Sequence, residues 1–178
     1  ILSCGKCCHE WEMSEYGELK AVQGETYFSH IPSWYEWQRE CVKKEIEAGE
    51  YKLDVPCKIK SLPNSKGFIN VGEGRLIHSK KGFTLISNWN GADWKLEIPT
   101  SSLYSVHIEY NYKVEHRDCI DLSTLSETFF VYPKGSEFSV TKISLATEEL
   151  FKSYWEQPQT KEVAPAASTE HTRTSCTI

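Results

Sequence analysis

The sequence predicts an α+β fold: a small antiparallel β-barrel or strongly bent sheet with a C-terminal capping helix, preceded by another helix and a cysteine-bearing segment. Three observations carry this reading. Residues 51–143 alternate polar and apolar side chains in short runs punctuated by turn residues. Residues 33–48 and 144–155 switch to helical period. Cys4-Gly-Lys-Cys7 places two thiols at the spacing of one knuckle of a tetrahedral zinc site, the alternative being a lone pair of reduced cysteines. The expected divisions are 1–32 for the half ribbon and connector, 33–49 for the first helix, 50–156 for the β-rich domain with its helix, and 157–178 for a disordered tail.

The chain has 178 residues, 39% hydrophobic and 25% charged, enough for one globular core. Its net charge of −5 argues against a nucleic-acid groove, which needs a basic surface to neutralise phosphates. No run approaches the roughly 20 apolar residues that span a bilayer. Seven cysteines are an odd number, and their spacing does not resemble a secreted disulfide framework. Cys41, Cys57 and Cys119 are isolated among helix- or strand-like residues, where free cysteine behaves as a small buried hydrophobe, so a reducing cytoplasmic setting is expected. The chain begins at Ile1 with only half of a zinc site, which reads as a fragment of a longer polypeptide.

Taken in order, the first helix follows Pro32, with Ser33 as N-cap and Glu36 completing a capping box. Trp34, Trp37 and Cys41, with Val42 and Glu45, supply its apolar stripe, and Gly49 its left-handed stop. Tyr51, Leu53, Val55, Cys57 and Ile59 alternate as a half-buried strand. Further strands are expected at 67–71, 74–79, 82–88, 94–98, 103–113, 118–123, 127–132 and 137–143. Pro63-Asn64, Gly72, Lys81-Gly82, Asn90-Gly91 and Pro133-Lys134-Gly135 mark the turns between them. The closing helix, 144–155, turns Leu145, Leu150, Phe151 and Tyr154 or Trp155 inward. Beyond Gln157 the composition is Pro-, Ala-, Thr- and Ser-rich and cannot bury enough surface to offset chain entropy.

Few constellations carry chemistry. Cys4 and Cys7 are the expected zinc ligands, and a closed site needs two more. Cys8 and His9 are too near their own knuckle to complete it, and nothing in the spacing recruits His30 or Cys41. The missing pair is expected upstream. Gly72-Glu73-Gly74 lacks the further glycine and helix that would cradle a phosphate. Cys119 is flanked by Ile120 and Leu122, the setting of a core residue rather than a nucleophile. Trp89 and Trp94 bracket the Asn90-Gly91 turn, where an aromatic pair can reach a membrane interface. Arg75, Lys80 and Lys81, with His78, Lys58, Lys60 and Lys66, are the candidates for facing a lipid headgroup, although lysines at strand turns commonly serve as solvated edge protection.

Three stretches together carry a resemblance. They are Cys4-x-x-Cys7 with His9-Glu10-Trp11-Glu12-Met13-x-Glu15-Tyr16-Gly17-Glu18-Leu19, then Gly24-Glu25-Thr26-x-Phe28-Ser29-His30-Ile31-Pro32-x-Trp34-Tyr35-Glu36-Trp37, then Leu145-Ala146-Thr147-Glu148-Glu149-Leu150. In this order they resemble the C-terminal extension of some clostridial 1-acyl-sn-glycerol-3-phosphate acyltransferases, over roughly residues 1–155. The resemblance implies an acyltransferase domain upstream in the same polypeptide, a four-cysteine zinc ribbon whose second knuckle is Cys4 and Cys7, and a cytoplasmic location at the inner face of the membrane through the parent protein. It implies no catalytic or cofactor-binding residue in this segment. Cys8 departs from the pattern, standing where the family has a glycine that lets the knuckle turn. The family's catalytic motif, His-x-x-x-x-Asp, is matched by His116 and Asp121. A five-residue offset puts them on opposite faces of a strand, and the stretch is expected as a hairpin turn, so the match reads as coincidence. At the level of fold, the strands followed by a helix resemble the pleckstrin-homology and GRAM type of domain. The reading is therefore a non-catalytic accessory module of phospholipid biosynthesis. The alternative is a free-standing module for lipid headgroups or a protein partner.

Overall fold

The computed structural model describes residues 2–3, 8–63, 67–135 and 139–156. Cys4, Cys7, Lys66 and the segment from Gln157 onward lie outside them. The chain opens with three short strands, β1 (Leu2–Ser3), β2 (Glu10–Met13) and β3 (Leu19–Ala21), in one antiparallel sheet of order β1-β2-β3. The sequence reading had only a connector here. Trp11 and Leu19 are each the single buried residue of their strand, so neither strand shows the repeated alternation that marks one in a sequence.

Helix α1 spans Ile31–Glu47. It starts two residues before the expected position, and the Ser33–Glu36 capping box does not form. His30 is the N-cap, in extended conformation and without a side-chain cap bond. A bridge between Glu18 and His30 fixes the entry, and Pro32 fits the first turn, where its missing N–H is not needed. Gly49, at φ 73°, ends the helix as expected, its N–H donating to the Ile46 carbonyl. The buried stripe is Val42 and Ile46, not the tryptophans, for Trp37 is exposed.

The main sheet holds β4 (Leu53–Leu62), β5 (Ile69–Ser79), β6 (Gly82–Trp89), β7 (Ala92–Pro99), β8 (His107–Tyr112), β9 (Arg117–Ser123) and β10 (Thr128–Pro133). Its order is β7-β6-β5-β4-β10-β9-β8, antiparallel throughout. Two meanders, β4 to β7 and β8 to β10, meet where β10 pairs β4. Among the described residues no pairing links β7 to β8, so the sheet is open and not a closed barrel.

Three further expectations need correction. The strands 67–71 and 74–79 are one strand, β5. Gly72, at φ 120°, sits opposite the register shift between Ile59 and Lys60, so it absorbs a bulge instead of making a turn. The strand expected at 103–113 begins only at His107, because residues 100–102 form a 3-10 turn. The strand expected at 137–143 is instead the start of helix α2 (Val140–Glu156). The Ser139 hydroxyl accepts from the Thr141 N–H at 3.2 Å, and Val140 and Ile143 bury together at helical spacing.

The inner face of β4 shows why the sheet holds. Leu53, Val55, Cys57 and Ile59 are all buried, meeting Leu76, Leu85, Ile120, Leu122, Val131 and, from α2, Val140 and Ile143. The opposite side of α2 carries Leu145, Ala146 and Leu150 against Val42, Ile46 and Tyr51. Helix α2 thus lies between sheet and α1, and for that reason buries residues around most of its circumference.

Candidate ligand-binding cleft

The strand β2 turns Trp11 toward the first turns of α1, while Glu10 and Glu12, by the period of two, face the other way. Helical spacing sets Trp34 and Trp37 on the facing side of α1. Phe28, just before the helix, stacks on Trp34 with centroids 6.2 Å apart and tilts against Trp37 at 5.4 Å. Trp11 lies 5.9 Å from Trp34, and His9 sits 4.4 Å from Trp11 and 5.7 Å from Tyr27. These rings, with Gln38, wall an open cavity of about 580 Å³.

Two polar atoms in its wall have no partner. The indole Nε1–H of Trp11, a residue only 8% exposed, and Nε2 of His9 are both buried and unbonded. A buried donor without an acceptor costs about 1–3 kcal/mol, so these two groups are a local cost of packing the rings together. Trp37 and Gln38 also line a second cavity, of about 200 Å³, between α1 and the start of α2. Glu45, Ser139 and Lys142 join that one to a third, of about 120 Å³. The three form a groove along α1.

The residues singled out from sequence are differently placed. Cys4 and Cys7 lie outside the described residues. Cys8 is exposed, with φ 55°, a left-handed conformation that glycine would adopt without strain. Among the described residues one group of three ligand types comes together, His107, Glu109 and Asp121 on β8 and β9, with donor atoms within 4.8 Å of one another. It is far in sequence from the knuckle and includes none of Cys8, His9, His30 or Cys41.

His116 occupies the β8–β9 turn at φ 51°, its N–H donating to the Tyr112 carbonyl at 2.7 Å. Asp121 lies on β9, paired in register with His107. Burial pushes its carboxyl up to about 6, Glu109 adds to the rise and His107 opposes it. No hydrogen bond joins His116 to Asp121 among the described residues, so the His-x-x-x-x-Asp spacing assembles no acid–base pair. Cys119 is fully buried, and burial with Asp121 nearby pushes its thiol up to about 12. A protonated, enclosed thiol is no nucleophile.

The basic candidates do not converge. Lys80 and Lys81 are exposed at the β5–β6 turn. Arg75 is five residues back along β5, roughly 16 Å away at strand rise, and is held by Asp54 at 2.7 Å. His78 belongs to the core, 1% exposed, and not to a surface cluster. Lys58 and Lys60, on the outer face of β4, both bond Glu115, and Lys58 above all holds that carboxyl down at about 2. Trp89 and Trp94 meet edge to face at 6.1 Å, and Trp94 leans on Phe129, so the pair packs against the sheet.

The cleft was not found from sequence. Its signal was the density of rings between His9 and Trp37, which periodicity assigned to helix packing. No family model matches the chain, and no curated protein or solved structure matches it either.

Proposed function

We propose that the chain is a non-catalytic binding module, the C-terminal accessory segment of a 1-acyl-sn-glycerol-3-phosphate acyltransferase-like protein of phospholipid biosynthesis. The observation that carries the binding part is the aromatic cleft, an open cavity of about 580 Å³ walled by ring faces. The protonated Cys119 and the separated His116 and Asp121 support the non-catalytic part. The acyltransferase connection rests on the resemblance of residues 4–37 and 145–150.

In this reading the main sheet and α2 are a PH/GRAM-like domain. Its support is the order of two meanders joined through β4 and β10, with a helix last in sequence covering the inner face. Cys4 and Cys7 would give two thiolates to a zinc ribbon whose other two ligands precede Ile1. Among the described residues no helix is long and apolar enough to cross a membrane. Contact with a membrane would then come through the parent protein.

The coding sequence upstream of Ile1 tests the assignment. An acyltransferase reading frame with a second Cys-x-x-Cys just before Ile1 supports it, whereas a stop codon or unrelated domain overturns it. The purified chain should transfer no acyl group from acyl-CoA to lysophosphatidate, and turnover by this chain alone would overturn the non-catalytic reading. A free-standing module for a protein partner is the second reading. The seven glutamates between residues 8 and 40, against Lys20 and Arg39, favour it over one for anionic headgroups.

A further inference from the structure

The cleft has a chemical preference. Between residues 8 and 40 the acidic side chains are Glu10, Glu12, Glu15, Glu18, Glu25, Glu36 and Glu40, against Lys20 and Arg39. Arg39 is already spent on α2, 2.7 Å from Glu148 and 3.0 Å from Glu149. Lys20 is the one cation of this stretch without an ion pair among the described residues. The carboxylates need not line the cavity to act, since their field reaches roughly 8–10 Å at physiological salt. Aromatic faces in an acidic field suit a cation: an ammonium or guanidinium over an indole is attracted by the ring quadrupole, and an anion is repelled.

The shape adds a second requirement. The aromatic cavity continues past Trp37 and Gln38 into the second cavity, and past Glu45 into the third. Helix α1, with 17 residues, is about 25 Å long. An extended peptide of about eight residues has that length. A small ammonium compound would leave most of that groove empty.

From this we infer that the groove along α1 binds an extended basic segment of a protein partner, with a lysine or arginine side chain over Trp34 and Trp37. The inference rests on the binding-module reading and names the class of partner.

The test titrates the full chain, by tryptophan fluorescence and two-dimensional NMR, with an acetylated and amidated octapeptide of alternating lysine and alanine. The matching glutamate–alanine peptide, a neutral proline-rich octapeptide and choline are the comparisons. The lysine peptide should bind, weaken as salt rises, and shift the Trp11 indole N–H resonance. Trp37→Ala, at an exposed position and so harmless to folding, should weaken it about 3- to 30-fold, the size of one cation–π contact. Glu36→Gln with Glu40→Gln should weaken it and flatten the salt dependence.

Equal binding of choline overturns the peptide assignment. Binding of the proline-rich or glutamate peptide with the lysine peptide silent overturns the cationic one, and leaves the binding-module reading standing. Silence of every probe overturns the inference as well. The binding-module reading itself fails separately, through acyl transfer by the chain.

Discussion

His78 shows what one buried polar residue does in this fold. It stacks on Phe83 at 3.9 Å and accepts at Nδ1 a 2.9 Å hydrogen bond from Tyr51, whose phenol burial keeps protonated. Burial lowers its pKa from 6.5 to about 3. The folded state therefore holds it neutral while the unfolded chain takes up a proton below pH 6.5, so its contribution to stability is full above 6.5 and is lost as pH falls. Asp121 works in the opposite sense. Its carboxyl is raised to about 6, so in the fold it stays protonated where the unfolded chain has ionised, and the stability it lends is lost as pH rises through 6. Between these limits the two slopes oppose each other. The expected outcome is a shallow pH dependence of urea unfolding from pH 6.5 to 5 in the native chain. In Asp121→Asn it should steepen to roughly 1.4 kcal/mol lost per pH unit of acidification. A flat curve in that variant would mean that His78 titrates normally in place.

At the scale of elements, two hairpins contrast in how tightly their glycines are required. Gly82 opens β6 at φ 108°, and a Cβ there would overlap the Ile98 carbonyl oxygen and stand 2.7 Å from the Thr100 nitrogen. All of these atoms belong to backbone that cannot step aside. Gly91, with Asn90, forms the two-residue turn between β6 and β7 at φ 80° and 53°, with open space around it. Gly82→Ala should cost about 3 kcal/mol or more, and Gly91→Ala only about 1, both read from chemical denaturation. Equal losses would show that left-handed backbone alone sets the cost at both sites. The β5–β6 turn just before Gly82 carries Lys80 and Lys81, exposed and distant from the other candidate cations. Liposomes with phosphatidic acid should therefore not sediment the chain at physiological salt. Clear co-sedimentation, lost on changing both lysines to glutamate, would make that turn a membrane contact.

At the scale of the molecule, α1 is held to the rest largely through α2. Beside the apolar contact of Val42 and Ile46 with Leu145 and Leu150, Arg39 bridges to Glu148 and Glu149, and Lys142 reaches Glu45 at 2.7 Å. Glu149 is only 9% exposed at its side chain, so deleting Arg39 leaves it with Lys152 as its remaining partner. Arg39→Ala should cost about 1–3 kcal/mol. Hydrogen exchange should show faster opening of α1 than of β4 in that variant, because the main core contains no residue of α1. Uniform loosening of both would show that the helix and sheet unfold as one unit.

What the sequence by itself determined was local. Alternation along β4 and along β6, the Asn90-Gly91 turn, the Gly49 stop and the second half of α2 are all visible because each repeats a period or a dihedral demand within a few residues. The hairpin turn at His116 was legible for the same reason. What only the tertiary structure decided was everything set by partners distant in the chain. The join of β4 to β10 made one open sheet of two meanders. The Glu18–His30 bridge moved the start of α1, and the bulge opposite Ile59 turned Gly72 from a turn into strand. Trp11 and Trp37 are 26 positions apart in the sequence, and no spacing rule pairs them. They line one cavity because β2 and α1 fold face to face, leaving an indole N–H buried with nothing of its own to bond.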